Sequence, residues 1–476
     1  MTDVTAPPPS TGPERPHGGS TSRLWKFVIL LLAAATLVAL AIRLFGGSED
    51  APPVPDGIGI DRVVGPDSYA LELARTETTV ANTRQRLENA PDQWLLREAY
   101  TGALSRRASL TGNYTDLAAI DRELARAFQD APTGAGPIVS AAAHAITVHR
   151  LDDAERYLDQ ADRFAVQPND AGRAEWLGMR GDIAFYRGNY DEALRYYRAS
   201  ARLSEDIGSL TRLSTYELKH GRFDEAEADI RRAGATAKTP SPYLAAFFFL
   251  RLADVGLASG DWAMAARNIA AANRAFEGWW LAEAYQAQML ALQGDVNGAV
   301  ALYTKAANQS NDPLVMDALA ALLRANGRIA AAKPWIAKAQ GIWDRRMAAL
   351  PSAARGHAVE HELALGDPTK SLRIAAADFA ARPHGQTAIM LASAELANGQ
   401  PEKALALLKQ VDRSGWVSAR AWALRAEAEA LMGDGKASDA ARAEAEARFS
   451  EYRMTFLEAL GEVENARHDG ERAPQR

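Results

Sequence analysis

The stretch GDIAFYRGNYDEALRYYRASA, residues 181–201, decides the fold. Its residues Ala193, Tyr197 and Ala201 recur at four-residue intervals, which places them on one side of a helix. Gly188 lies in a short turn before this helix, and another helical stretch precedes the turn. The stretch therefore predicts a hairpin of two helices, in which each helix has one apolar side.

The same turn recurs along the chain between helical stretches that are rich in alanine. Successive turns are about 36 residues apart on average, close to the ~34 residues of a helix–turn–helix repeat. One hairpin cannot bury its own apolar side, so several have to stack before the array is stable. The ten turn positions are Gly112, His149, Gly188, Gly221, Gly260, Gly294, Gly327, Gly366, Gly399 and Gly433.

These residues resemble the tetratricopeptide repeat (TPR), and the resemblance covers positions 92 to 450. In that family one glycine packs two helices closely, a second glycine forms the turn, and an alanine lets the next helix approach. The matching positions are Gly181, Gly188, Ala193, Gly221, Ala226, Gly260, Ala265, Gly294, Ala299, Gly327, Ala332, Gly399 and Ala404. The resemblance implies an all-α fold, a right-handed α-solenoid of about nine to ten TPR-like hairpins over residues 91–465. A non-repetitive bundle of Ala-rich hairpins is the alternative.

An apolar segment of another kind precedes the array. It reads LWKFVILLLAAATLVALAIRLF over residues 24–45. A helix of this length spans about 33 Å, enough for the ~30 Å hydrocarbon layer of a bilayer. Trp25 suits the membrane interface, and Lys26 and Arg43 can extend from the two ends. Residues 23–45 are therefore predicted to be a transmembrane helix that anchors the chain.

Charges on the two sides of this segment predict its orientation. Cations precede it and carboxylates follow it, and cytoplasmic ends of such segments are enriched in Lys and Arg. We therefore expect a single-pass inner-membrane protein with a cytoplasmic N terminus and periplasmic repeats, a membrane-anchored bacterial TPR protein. The alternative is a cleaved signal peptide, for which Ala39-Leu40-Ala41 is the candidate cleavage site.

Segments of low apolar content flank the anchor and the array. Residues 1–22 and 466–476 are predicted to be disordered tails, because their composition cannot form a core. Residues 46–66, rich in Pro and Gly, are predicted to be a flexible linker. A helix is expected over residues 67–90, before Pro91 interrupts it.

Composition excludes several classes of function. The net charge is -6, from 54 basic and 60 acidic side chains, without a block of like charge that would indicate nucleic-acid binding. The chain has no cysteine, which excludes disulfides, thiolate metal sites and cysteine nucleophiles. No glycine-rich phosphate-binding string and no nucleophile elbow occurs in the sequence, and we expect neither a cofactor nor catalysis.

One five-residue string is a candidate metal site. His357, Glu360 and His361 match the H-x-x-E-H pattern, in which two histidines hold zinc and the glutamate acts as a general base. The third ligand of that pattern has no marked counterpart, since Glu427 and Glu429 belong to an ordinary Ala–Glu helix. His357 and His361 are thus weak metal candidates, and two histidines on a repeat helix are the simpler interpretation.

The resemblance implies that the first helices of the hairpins line a groove that binds protein segments. Projected onto this chain, that protein-binding groove consists of Arg212, Thr215, Lys219, Arg251, Asp254, Tyr285, Gln288 and Arg324. The lysines with which some members of the family bind acidic C termini are missing at the matching positions. The mixed charges of the groove favour a folded or polar protein partner.

Three hypotheses of function follow. The first is a membrane-tethered scaffold or chaperone that binds protein partners on the extracytoplasmic side, for the assembly of an envelope or secreted complex. The second is a zinc hydrolase at His357, Glu360 and His361. The third is a membrane adaptor whose TPR-like repeats face the cytoplasm. No small-molecule substrate and no nucleic acid is evident from the residues.

Overall fold

The computed structural model describes residues 63–451. Twenty-one α-helices make up most of this part, and its only extended pairing is an isolated bridge between Ser68 and Glu277. The all-helical prediction is confirmed for these residues. The predicted anchor over 23–45, the two tails and most of the linker lie outside them.

The helices are bounded as follows: α1 Tyr69–Asn89, α2 Trp94–Thr111, α3 Tyr114–Asp130, α4 Ile138–Thr147, α5 Leu151–Ala161, α6 Asp170–Tyr186, α7 Tyr190–Leu203, α8 Ile207–Lys219, α9 Phe223–Thr236, α10 Pro242–Ser259, α11 Trp262–Ala275, α12 Trp280–Leu292, α13 Val296–Ser310, α14 Pro313–Ala325, α15 Ile329–Ala349, α16 Pro351–Ala364, α17 Pro368–Ala381, α18 Gly385–Ala397, α19 Pro401–Arg413, α20 Ala419–Leu431 and α21 Gly435–Glu451.

Helices α2 to α21 form ten hairpins, which we number 1 to 10 in chain order. The two helices of each hairpin pack on each other, and the second helix of each hairpin packs on the first helix of the next. Helix α1 packs on α2 and thereby covers the start of the stack. Because every hairpin is covered by its neighbours, the apolar sides predicted from the sequence are buried by stacking.

The turns inside the hairpins have a left-handed residue at nearly every predicted position. His149 adopts φ 59° in the one turn that lacks glycine, a conformation that is uncommon for a residue with a Cβ. Hairpin 8 differs, because its turn at Gly366 contains no residue with positive φ. The left-handed turn glycines are Gly112, Gly188, Gly221, Gly260, Gly294, Gly327, Gly399 and Gly433.

Small residues let the paired helices approach closely. A Cβ on Gly181 would lie 2.5 Å from the Tyr197 ring, and one on Gly256 would lie 2.7 Å from the backbone nitrogen of Ala265. A larger side chain at either position would push the helices apart. Seven alanines of the second helices have no exposed surface: Ala154, Ala193, Ala226, Ala265, Ala299, Ala332 and Ala404.

Hairpins far apart in sequence also touch. Hydrogen bonds join residues 170, 195 and 239 positions apart: Trp280 to Leu110, Gly385 to Tyr190, and Tyr114 to Ala353. The stack therefore coils into a superhelix whose successive turns are in contact, with about five hairpins in each superhelical turn.

Helix α10, Pro242–Ser259, is the one described helix that is long and apolar enough to cross a bilayer. Most of it is buried within the stack, and Phe248 and Phe249 have no exposed surface. Its apolar composition is therefore explained by its place in the core.

Candidate functional site

The contacts between the superhelical turns follow one regular line, which we call the seam. Along it, the turn inside each of hairpins 1 to 4 lies against the loop that follows the hairpin five positions further on. The turn residues of the seam are Gly112, His149, Gly188 and His220, and the loop residues are Asp312, Leu350, His384 and Trp416. The seam therefore brings together side chains from both superhelical turns.

The first contact of the seam is polar. The guanidinium of Arg346 donates to the backbone oxygen of Gly112 at 3.2 Å and to the Asp312 carboxylate at 2.9 Å. The same guanidinium lies 4.1 Å from the centre of the Tyr114 ring, and Trp280 donates its indole N–H to the oxygen of Leu110. Arg346 and Asp312 are 8% and 5% exposed, so this ion pair is buried.

The second contact is small and apolar. Val148, next to the left-handed His149, packs in one cluster with Leu350 and Ala353. The Tyr114 hydroxyl donates to the backbone oxygen of Ala353 at 3.1 Å and joins this contact to the first. The seam is therefore continuous from hairpin 1 to hairpin 2.

The third contact consists mainly of aromatic rings. A Cβ on Gly188 would lie 2.6 Å from the backbone oxygen of Pro383, which shows how closely the turn approaches the loop. The Tyr190 hydroxyl accepts the backbone N–H of Gly385 at 2.7 Å. The ring of His384 lies 6.3 Å from Phe185, measured between ring centres.

Two histidines of the seam are held in the neutral form. Burial, together with the charge of Arg382, lowers the pKa of His384 to about 3, and burial lowers the pKa of His149 to about 3. Neither ring nitrogen of His384 has a hydrogen-bond partner among the described residues. Protonation of His384 would therefore place an unpaired charge in an apolar contact.

The fourth contact joins hairpin 4 to the start of hairpin 10. The backbone N–H of Val417 donates to the oxygen of Lys219 at 3.0 Å, and the Lys219 ammonium lies 5.6 Å from the Trp416 ring centre. Beside this contact is a cavity of about 290 Å³, with walls from α8 and α10 on one side and from α18 and the start of α20 on the other.

Four of the eight residues predicted for the groove line this cavity: Thr215, Lys219, Arg251 and Asp254. Arg251 is paired with the Asp254 carboxylate, which also accepts the Tyr285 hydroxyl at 2.7 Å. Three residues that the sequence did not suggest complete the polar wall: Gln386, Trp416 and Arg420.

Two further groove residues, Tyr285 and Gln288, line a second cavity of about 350 Å³. This cavity lies at the first contact of the seam, between Tyr114, Trp280 and Arg346. The side-chain nitrogen of Gln288 is buried there without a partner among the described residues. The structure thus divides six of the predicted groove residues between two cavities of the seam.

The last two groove residues make contacts between neighbouring hairpins. Arg212 donates to Glu175 at 2.8 Å and to Asp182 at 2.9 Å. Arg324 donates to the backbone oxygen of Ala364 at 3.2 Å. A partner that bound these two side chains would have to share them with the contacts that align the hairpins.

The two histidines proposed as zinc ligands face separate polar groups. His361 is 1% exposed and uses both ring nitrogens, with Asp317 at 2.7 Å and Gln340 at 3.0 Å. His357 lies against Glu360 at 3.3 Å. Within residues 63–451 no group of three His, Asp or Glu side chains is arranged to hold a metal ion. His361 therefore stabilises the contact between hairpins 7 and 8.

Sequence reasoning missed the loops of the seam. Trp416, Gln386 and Arg420 lie near the boundaries between hairpins, where a repeat pattern assigns no role. Aromatic residues in short loops, such as Trp279 and Trp416, were the one available signal, because a loop exposed to water has little use for a Trp ring.

Comparisons with known proteins agree with the repeat. A family model described as Tetratricopeptide repeat matches residues 174–207, which include most of α6 and all of α7. A comparison with curated proteins finds no match.

Three solved structures are similar at low identity. The APC/C hetero-tetramer Cut9–Hcn1 has a TM-score of 0.44 at 14% identity, over 84% of this chain and 76% of that one. A tetratricopeptide repeat protein from Parabacteroides merdae has a TM-score of 0.33 at 15% identity, over 54% and 98%. Yeast Tom70 has a TM-score of 0.34 at 14% identity, over 85% and 89%. At these TM-scores none of the three specifies a partner for this chain.

Proposed function

We propose that this chain is a membrane-tethered scaffold or chaperone that binds protein partners on the extracytoplasmic side, for the assembly of an envelope or secreted complex. The tetratricopeptide repeat at residues 174–207 and the stack of ten hairpins support the protein-binding part of this proposal. The charges on the two sides of residues 23–45 support the tether and its orientation.

The observation that carries the proposal is the arrangement of the eight groove residues. Seven are partly exposed and Thr215 is exposed, so that each can be reached from solvent. They comprise cations, a carboxylate, a hydroxyl and an amide, a mixture that suits a polar protein surface better than an apolar ligand. We propose these residues as the contact surface for the partner.

Site-specific crosslinking tests the surface. A photoreactive amino acid at Thr215, in the full chain in its native host, is expected to give a discrete adduct with one envelope protein. The control position is Val166, 85% exposed in the loop before α6, and it should not give that adduct. Equal adducts at both positions would contradict a specific surface.

A reporter enzyme fused after residue 476 tests the orientation. Activity of a reporter that works only outside the cytoplasm supports the periplasmic location. Activity of a cytoplasmic reporter alone would instead support the membrane adaptor that faces the cytoplasm. Metal analysis of the purified chain, with His357→Ala as the control variant, tests the zinc hydrolase, which requires bound zinc that this substitution removes.

A further inference from the structure

The cavity of about 290 Å³ beside the fourth contact of the seam contains positive charge that the protein does not neutralise. Its lining includes three cations, Lys219, Arg251 and Arg420, and a single carboxylate, Asp254. Arg251 and Asp254 pair with each other, with a separation of 2.5 Å between their charged atoms. Lys219 and Arg420 are the charges that remain.

Neither of these two cations has a carboxylate partner within residues 63–451. Arg420 makes one weak contact, at 3.3 Å, with the hydroxyl of Ser393, and its Nε is buried without a partner among the described residues. Lys219 lies over the Trp416 ring at 5.6 Å, and it gains a further favourable interaction from its position in the last turn of α8.

Buried cations elsewhere in this chain are paired with carboxylates. Arg97, Arg346 and Arg382 are each paired with a carboxylate at 3.1 Å or less. A cation removed from water is costly unless an anion accompanies it, which explains these pairs. Lys219 and Arg420 are only partly buried, and each lacks such a partner within residues 63–451, so the polar wall of the cavity carries two charges that a bound anion would neutralise.

Neutral donors also line the cavity. Ser418, Ala419 and Arg420 form the N-terminal end of α20 and line the cavity, and the backbone N–H groups of Ala419 and Arg420 have no acceptor in the described part of the chain. Such groups favour an anion at a helix start. The Gln386 amide, which has no intramolecular hydrogen bond in these residues, adds a further donor.

We infer that this cavity is a binding site for a compact anionic solute that carries a carboxylate or phosphate group. The guanidinium of Arg420 offers the paired donors that such groups accept, and Lys219 supplies a point charge. The volume lies at the lower end of the range of ligand pockets, which fits a small molecule of a few heavy atoms.

The walls of the site come from both superhelical turns, so the bound anion would stabilise the seam. Lys219 belongs to hairpin 4 and Arg420 to hairpin 10, and an anion between them replaces a repulsion with two attractions. The site shares Lys219 with the surface proposed for the protein partner, but its ligand is a solute and it is tested on the purified chain without that partner, so the two proposals can fail separately.

Calorimetric titration of the full chain with succinate and with inorganic phosphate tests the site, and sodium chloride at equal ionic strength serves as the reference. We expect one of the two probes to bind at a single site, and the better probe identifies the group as carboxylate or phosphate. In the double variant Lys219→Gln, Arg420→Gln the affinity should fall at least tenfold. The matched control Lys338→Gln, Arg345→Gln, in which one lysine also lies over a Trp ring, should bind as the wild type does.

Thermal unfolding separates this role from a structural one. Without the probe, the double variant should melt close to the wild type, because the loss of the Lys219–Trp416 contact is offset by the removal of two charges that have no carboxylate partner. The increase in melting temperature that the probe causes in the wild type should be absent from it. Binding of neither probe above the chloride reference, or equal binding by the double variant, would overturn the inference.

The anion site can also be tested on the wild type, without a variant that has to fold. Acetylation of Lys219, followed by mass spectrometry, should slow by several-fold in the presence of the better probe. Acetylation of Lys338 should not change. Equal rates at Lys219 with and without the probe would also overturn the inference.

Discussion

The first and third contacts of the seam join the same two superhelical turns by different chemistry. At the first contact, Arg346 and Asp312 form a buried ion pair that also holds the backbone of Gly112. At the third, the neutral ring of His384 packs against the rings of Phe185 and Trp416. The first contact depends on two charged side chains, and the third depends on a histidine that stays neutral.

The seam is therefore not a uniform interface. The ion pair stabilises the first contact through the attraction of two buried charges, and removal of one partner leaves the other buried without compensation. A contact that depends on neutral histidine weakens as the pH falls below the pKa of histidine in the unfolded chain, because the unfolded chain then binds a proton that the folded chain does not. The two contacts should therefore fail under different conditions, and the following experiments separate them in order of expected effect.

Removal of the cation should break the first contact. Arg346→Met leaves the Asp312 carboxylate buried without its partner, so we expect the free energy of unfolding to fall by about 3–5 kcal/mol. Urea unfolding followed by circular dichroism measures this change. Arg345→Met, at the exposed neighbouring position, is the control and should have little effect. A similar loss in both variants would mean that the ion pair makes no specific contribution to the free energy of unfolding.

A methyl group should break the third contact. Gly188→Ala combines left-handed strain at φ 75° with a Cβ placed 2.6 Å from the oxygen of Pro383, and we expect a loss of about 2–4 kcal/mol. Gly399→Ala has the same strain at φ 71° and no atom within 4 Å of the new Cβ, so it should lose about 1–2 kcal/mol. The difference between the two losses isolates the close approach; equal losses would exclude a contribution from the seam.

Acid should weaken the third contact. Between an unfolded-state pKa of 6.5 and a folded-state pKa of about 3, the unfolded chain binds a proton that His384 in the folded chain does not. Stability is therefore full above pH 6.5 and falls with pH below it, by about 2 kcal/mol at pH 5 for this group. Unfolding of the wild type at pH 7.5 and pH 5 measures the loss.

The variant His384→Phe tests whether this histidine causes the loss. It keeps a ring beside Phe185 and Trp416 and has no titratable group, so its loss between the two pH values should be about 2 kcal/mol smaller. An unchanged pH dependence would assign the effect to other groups.

Single hydrogen bonds should give the smallest effects. Tyr190→Phe removes the acceptor of the buried Gly385 N–H and should cost about 1–2 kcal/mol. Tyr114→Phe removes a donor to the partly buried oxygen of Ala353 and should cost about 0.5–1 kcal/mol. Unfolding curves of the two variants, recorded side by side, compare the contacts; the reverse order would place the stronger hydrogen bond at the first contact.

The local part of the fold follows from the sequence. A turn residue and the alanine that follows it by five, such as Gly188 with Ala193 or His149 with Ala154, lie within one hairpin, so a periodic pattern of small residues reveals them. The alanines have no exposed surface, and the turns are left-handed at nearly all positions. Gly366 shows the limit of this reasoning, because its hairpin turns without a left-handed residue.

The seam could not be derived in the same way. Its contacts join residues 170 to 239 positions apart, and no periodic signal within one repeat records which turn meets which loop. The groove residues were inferred one hairpin at a time, so the second wall of the cavity beside the fourth contact, with Trp416 and Arg420, was not anticipated. The curvature of the stack determines which residues form that wall. This curvature is the sum of many small packing angles between helices, which the sequence pattern does not give.

The fixed pairing of each turn with the loop five hairpins ahead has a consequence for how such a chain can change in evolution. A repeat array that is open can gain or lose a unit anywhere at little cost. Here, an additional hairpin between the fourth and the sixth would move all four turns away from the loops that receive them. This part of the molecule can therefore be inherited only as a block of constant length, and changes in length should accumulate outside it.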